Sequence, residues 1–165
     1  MPPHQGPISF SVTGKLVMDR YDDIELLLDD SREKIQTVKR EYQNIRTQKP
    51  EDPKLVLTIK HCLLNLRSVL EYATQEIWQS YNKTPKKRLY FPYGETELLF
   101  NNSLKSNLPS LESCKPNVAK LIRDLQPFTC GDNWLLNLCE QVNTQKHDRL
   151  SRLIKKSITG KSNHP

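Results

Sequence analysis

The side chains best suited to chemistry lie near the end of the sequence, in the stretch 142–149. Asn143 and His147 are four positions apart, so on a helix they share one side, and Lys146 lies beside them. An imidazole titrates near neutral pH and is the side chain most used for proton transfer, while an amide and an ammonium can hold an anion. Asn143, Lys146 and His147 are therefore candidate catalytic residues.

An ordinary helix end explains the same three residues. The helix dipole favours basic side chains in a last turn, and an amide at that position faces water. Lys146 is also in phase with the apolar Cys139 and Val142, which is an unusual place for a charge unless it is paired or the helix has ended. Such a conflict between local rules is typical of functional sites, so the sequence leaves both interpretations open.

A second polar pair, Arg67 and Glu71, is also spaced by four and lies at the edge of an apolar stripe. As an exposed ion pair it would contribute roughly 0.3 to 0.5 kcal/mol to helix stability. Alternatively, Glu71 orients a base such as His147 across a helix bundle, and Arg67 joins it as a site residue.

Positive charge is concentrated in two parts of the chain. Lys and Arg number 25 against 19 Asp and Glu, and they collect at 83–88 and 149–161, where an anionic partner would bind. Cations and aromatic side chains alternate through 86–93, a pattern that fits stacking of single-stranded nucleic acid, although loop aromatics also cover cores. The candidate nucleic-acid-binding residues are Lys86, Lys87, Arg88, Arg149 and Arg152.

The sequence lacks the motifs of common cofactor and metal enzymes. It contains no glycine-rich phosphate loop, no G-x-S-x-G elbow and no H-E-x-x-H pair. Its four cysteines form no C-x-x-C pair, so we expect no metal and no cofactor, and Cys62 and Cys139 fall on apolar helix stripes. The sequence has no bilayer-length apolar run and no secretory pattern, so we expect a cytoplasmic protein without membrane contact.

Two long helices are predicted to position these residues. Apolar side chains recur over 17–45 in alternating steps of four and three, which predicts a helix with one continuous seam. The stretch 49–53 ends it, with Asp52 as a cap and Pro53 in the first turn of the next helix. The same pattern returns over 55–77, and two helices of matched length joined by a short turn pack antiparallel.

The predicted fold class is all-α, an up-and-down helical bundle built on this long antiparallel hairpin. The bundle domain would span residues 16–154, preceded by an N-terminal arm at 1–15 and followed by a basic tail at 155–165. The arm alternates three apolar residues, Ile8, Phe10 and Val12. Shorter helices over the exposed side of the hairpin are predicted at 95–106, 116–125 and 132–149. Trp134 is expected to anchor the core.

Several short motifs follow one another between residues 55 and 150. They are LRSVLEY at 66–72, Phe91-Pro92, LQPF at 125–128, Trp134-Leu135, and Asn143 with Lys146-His147. This set resembles a family of uncharacterised bacterial helical proteins related to the HEPN superfamily. The resemblance implies a helical bundle, often dimeric, of the kind found in RNA-targeting defence, toxin and stress modules. It also implies that His147 acts in metal-independent RNA cleavage, with Asn143 as the accompanying polar residue.

The chain departs from that family shortly before the histidine. The ribonuclease members carry an arginine there, whereas residues 140–143 are Glu, Gln, Val and Asn. Lys146, Arg149 or Arg67 would have to neutralise the developing phosphorane charge in its place. Two hypotheses follow. The first is a non-catalytic HEPN-like interaction module that binds a protein partner or RNA; the alternative is a metal-independent endoribonuclease with His147 as general acid or base. A second copy of the chain is a further candidate partner.

Overall fold

A computed structural model describes residues 19–48, 53–82, 84–86 and 88–145 of the chain. Within these ranges the structure is all-α and contains seven helices. They are α1 Arg20–Gln48, α2 Pro53–Tyr81, α3 Glu97–Asn107, α4 Leu111–Cys114, α5 Pro116–Asp124, α6 Pro127–Cys130 and α7 Trp134–Gln145. The predicted fold class is confirmed.

The two long helices form the predicted antiparallel hairpin. Near one end Arg20 Nη1 donates to Glu76 Oε1 at 2.5 Å, and further along the Cys62 thiol donates to the Ser31 carbonyl at 3.8 Å. The residue numbers of these pairs run in opposite directions along the two helices, which fixes their orientation. Pro53 is the first residue of α2, as predicted. Proline fits there because the backbone N–H groups of the first turn have no partner within the helix, so its missing N–H costs no hydrogen bond.

The start of α1 is fixed by a reciprocal cap. The backbone N–H of Asp22 donates to Asp19 Oδ1 at 2.9 Å, and the backbone N–H of Asp19 donates to Asp22 Oδ2 at 3.3 Å. Two carboxylates at a helix N-terminus also interact favourably with the helix dipole. The first described helical residue, Arg20, therefore follows a strong start signal.

The hydrophobic core lies on the far side of α2 from α1. The second half of α2 contributes Trp78, and the segment 89–93 contributes Leu89 and Phe91. The remaining buried members come from the later helices and from Leu108, which caps the end of α3. In the helices they are Phe100, Leu104, Leu111, Ala119, Ile122, Leu135 and Cys139. The shorter helices thus form a core with one face of α2. The sequence analysis predicted instead that they cover the exposed side of the whole hairpin.

The seam of α1 is only partly covered. Ser31 is 1% exposed against α2, but Tyr21, Ile35 and Tyr42 are 66%, 37% and 53% exposed. The predicted apolar seam is therefore exposed at these three positions, because α1 packs mainly on α2. Trp134 is also 43% exposed and does not anchor the core.

Two of the shorter helices, α3 and α7, each begin two residues later than predicted because of their caps, whereas α5 begins at Pro116 as predicted. Thr96 is the N-cap of α3, and its Oγ1 accepts a hydrogen bond from the backbone N–H of Leu99 at 3.4 Å. Asp132 Oδ1 accepts from the backbone N–H of Trp134 at 2.7 Å at the start of α7. The single-turn helices α4 and α6 were not predicted, since four residues carry no readable periodicity.

The segment 89–94 is held by the side chain of Gln126, which is fully buried. Its Oε1 accepts from the backbone N–H of Gly94 at 3.2 Å, and its Nε2 donates to the carbonyl oxygens of Pro92 at 3.3 Å and Ile122 at 2.9 Å. A Cβ at position 94 would lie 2.4 Å from the backbone nitrogen of Phe100, so the close approach requires glycine. The segment 89–94 therefore packs on the core.

Two predicted features lie outside the described residues: the N-terminal arm at 1–15 and the basic tail at 155–165. Among the described residues, no helix combines the length and apolar character needed to cross a bilayer.

Phe100→Ala tests the position of the core. Phe100 is fully buried, so its truncation should lower the free energy of unfolding by about 3 to 5 kcal/mol. Leu98→Ala in the same helix removes a side chain that is 70% exposed and should change it by less than about 0.5 kcal/mol. Urea unfolding followed by circular dichroism measures both; equal effects would contradict this placement of the core.

Candidate functional site

The most elaborate polar arrangement in the described chain surrounds Arg67 in the middle of α2. The residue is 7% exposed, and its Nε donates to Glu71 Oε1 at 3.0 Å on the same helix. Its Nη1 donates to the Sγ atom of Cys139 on α7. Its Cζ lies 5.4 Å from the centroid of the Tyr93 ring, which is a cation–π contact. The guanidinium thus joins α2, α7 and the 89–93 segment.

Tyr93 carries the contacts on to the end of α7. Asn143 Nδ2 donates to the Tyr93 hydroxyl at 3.4 Å, and the Asn143 side chain is exposed. We call Arg67, Glu71, Tyr93, Cys139 and Asn143 the Arg67 cluster. Its inner part, around the guanidinium, is buried, and its outer part, around the amide, faces solvent.

The Arg67–Glu71 pair is more buried than the sequence suggested. The Arg67 side chain is 9% exposed and that of Glu71 is 30% exposed, so the expectation of an exposed pair is wrong for the arginine. Because Tyr93 and Cys139 cover the guanidinium, water screens the pair less than it screens a surface pair. Loss of the carboxylate would leave a buried cation unpaired, which is costly.

The Arg67 guanidinium is therefore occupied within the protein. Its donors meet a carboxylate and a sulfur atom, and one face lies against an aromatic ring. Binding a phosphate would require it to leave these partners. The arrangement fits an arginine that holds three chain segments together better than one that contacts a scissile phosphate.

The Cys139 thiol lies inside the cluster and is fully buried. Burial raises its pKa because the thiolate is poorly solvated there; the neighbouring Arg67 cation opposes this shift without cancelling it. Burial likewise raises the pKa of the Cys62 thiol between α1 and α2. Both cysteines pack as small hydrophobic residues, as predicted from their phase.

The structure brings together three of the predicted catalytic residues: Arg67, Glu71 and Asn143. Lys146 and His147 lie outside the described residues, so the role of Glu71 in orienting His147 stays a prediction. The described partner of Glu71 is Arg67.

The residues predicted to contact nucleic acid lie in different environments. Lys86 Nζ donates to the carbonyl oxygens of Ser106 at 2.6 Å and Asn107 at 3.1 Å, and lies 5.3 Å from the centroid of the Trp78 ring. The lysine therefore binds the C-terminal carbonyls of α3, where a cation is favoured. Arg88 is exposed. The other three candidates, Lys87, Arg149 and Arg152, lie outside the described residues.

Sequence reasoning did not find the two residues that complete the cluster. Tyr93 was assigned to a basic aromatic stretch, and Cys139 to an apolar stripe. Neither assignment points to Arg67, because the contacts join segments far apart in the chain. The described residues contain no group of three or more metal-binding side chains.

Comparison of the chain with protein-family models, with curated proteins and with solved structures gave no match.

Thiol labelling tests the environment of Cys139. In the native protein at pH 8, a disulfide reagent should label the exposed Cys114 and Cys130 quickly, and Cys62 and Cys139 slowly. Burial blocks access to the slow pair and raises their pKa, so little thiolate is present. Release of the coloured leaving group gives the rates.

Two controls complete the labelling experiment. Replacing both Cys114 and Cys130 by serine should remove the fast phase, and guanidinium chloride should make all four thiols of the unmodified chain reactive. A third fast thiol in the native protein would contradict the buried cluster.

Proposed function

We propose that this chain is a non-catalytic helical interaction module of HEPN-like type, and that its first partner is a second copy of itself. The observation that carries the proposal is the uncovered apolar stripe on α1. Tyr21, Ile35 and Tyr42 are all exposed, and Leu28 stands between them in the same series. Neighbouring members are seven residues apart, which is the spacing of a coiled-coil seam.

Charge along α1 favours an antiparallel partner of the same sequence. Residues 20–30 carry five carboxylates and one arginine, whereas residues 31–48 carry five cations and two carboxylates. Two antiparallel copies of α1 place the acidic half of each against the basic half of the other. Such a contact is self-complementary about a twofold axis, and Ile35 lies near the middle of the stripe.

The Arg67 cluster supports the non-catalytic part of the proposal. The family arginine before the histidine is absent. Of the three named substitutes, Arg67 lies among the described residues, and it is buried and paired with Glu71. A cation engaged in this way supplies little stabilisation to a developing phosphorane charge. Binding functions need no such residue.

Ile35→Asp tests the dimer. The unmodified chain should elute with twice the mass of one chain in light scattering coupled to gel filtration, and the variant should elute as a monomer because a carboxylate enters an apolar contact. Leu26→Asp is the matched control: Leu26 is 60% exposed, and nine positions place it on the opposite side of α1. The control should remain dimeric.

Salt provides a second measure of the same interface. Because the proposed contact pairs opposite charges, the dimer dissociation constant should rise with ionic strength. The dimer proposal would be overturned if the unmodified chain were monomeric at all protein concentrations, or if Ile35→Asp and Leu26→Asp dissociated equally. The stripe would then have a different partner.

One observation favours the alternative, an endoribonuclease. Asn143 is exposed at the outer part of the Arg67 cluster, beside the Tyr93 hydroxyl, and His147 follows it by four positions. Labelled single-stranded RNA incubated with the protein and a chelator should remain intact if the module is non-catalytic. Cleavage that is lost in His147→Ala but retained in His61→Ala would establish the enzyme instead.

The same mixture distinguishes an RNA-binding module from a protein-binding one. Intact RNA with salt-sensitive binding assigns RNA as a partner, and reversal of Arg88 to Glu should then weaken binding. If the RNA stays intact and does not bind, a protein is the remaining class of partner.

A further inference from the structure

A groove opens where α1, α2 and α7 meet, beside the Arg67 cluster but not part of it. Its volume is about 480 Å³, and its lining includes Leu28 of α1, Leu66 and Leu70 of α2, and Trp134 of α7. A volume of this size lies within the range typical of ligand pockets. The walls are almost entirely apolar, so the occupant has to be apolar as well.

Two amides stand in the lining of this groove. Asn137 and Gln141 both line it, are exposed, and lie four residues apart on α7. On a helix such residues lie one turn apart, about 6 Å in rise. An extended peptide repeats its outward-facing backbone groups at about 7 Å, every second residue. The rise between the two amides is therefore close to the repeat of backbone groups along one side of an extended segment.

We propose that the groove is filled by the N-terminal arm of the same chain, with Ile8, Phe10 and Val12 inserted between the helices. These residues alternate with Ser9 and Ser11, so an extended arm presents all three apolar side chains on one side.

The arm is long enough to reach the groove. Leu28 lies about 13 Å along α1 from Asp19, at 1.5 Å per residue. Val12 precedes Asp19 by seven residues, which span at most about 25 Å when extended. This length is sufficient for an arm that turns back along α1 to reach Leu28.

Charge distinguishes the arm from the other segment outside the described residues. Residues 1–18 contain a single Lys or Arg and no Asp or Glu, whereas residues 146–165 contain seven charged side chains. Placing the basic segment in an apolar groove would desolvate several charges, which the groove has no acidic residues to balance. The arm carries no such cost.

The groove and the proposed dimer stripe share only Leu28, and the two proposals are tested at different residues. The arm proposal is read at Trp134, which is not on the stripe. Trp134 is 43% exposed, whereas the second tryptophan, Trp78, is 7% exposed. Docking of the arm would shield the Trp134 indole from solvent.

Phe10→Asp in the full-length chain tests the arm. Acrylamide quenching of tryptophan fluorescence should increase and the emission should shift to longer wavelength, because the charged arm leaves the groove and exposes Trp134. Ser11→Asp is the matched control: it adds the same charge one residue away, on the opposite side of the extended arm. It should leave quenching and emission unchanged.

Nuclear Overhauser effects give a direct second measurement. In the unmodified chain, the methyl groups of Ile8 and Val12 should show cross-peaks to the Trp134 indole ring, and Phe10→Asp should remove them. The variant Trp134→Phe identifies the indole resonances of Trp134 and the share of the total fluorescence that comes from Trp134.

Three outcomes would overturn the proposal. Equal quenching in the unmodified chain and Phe10→Asp, together with no cross-peaks, means that the arm does not fill the groove. Equal effects of Phe10→Asp and Ser11→Asp mean that Phe10 is not inserted. Quenching that increases on dilution places the arm in a second copy. Ile35→Asp should leave Trp134 shielded, so failure of the dimer and failure of the arm are separable.

Discussion

The relative positions of α2, α7 and the 89–93 segment depend on the buried guanidinium of Arg67. A cation with little access to water needs a counter-charge and hydrogen-bond acceptors, and three side chains contact this one. The carboxylate comes from the same helix, the sulfur from α7 and the aromatic face from the loop. The arginine therefore links α2 to α7 and to the 89–93 segment through contacts that all converge on one guanidinium.

The hairpin was predictable because its signal is long and periodic. Two stretches of nearly thirty residues repeat steps of three and four, and even Ser31 falls at the buried position that the series assigns to it. The same series did not reveal which members would be covered. Exposure of Ile35 and Tyr42 depends on where α7 and the core lie, and that is set by contacts between distant segments.

The site was predictable in composition and not in geometry. A spacing of four places Arg67 and Glu71 side by side whether the pair is buried or exposed. Its burial depends on Tyr93 and Cys139, which lie 26 and 72 residues away from Arg67 along the chain. Lys86 illustrates the same limit, since its charge predicted a ligand contact and its actual partners are carbonyl groups at the end of α3.

The core lies on one side of the hairpin, so the two long helices differ in the free energy needed for local unfolding. α2 is held by α1 on one side and by the Arg67 cluster and the core on the other, whereas α1 packs mainly on α2. Separation of α1 would therefore break one interface and leave the remaining helices packed. Local opening of that kind requires less free energy than global unfolding, so backbone amides of α1 would exchange with solvent deuterium well before the core-facing amides of α2.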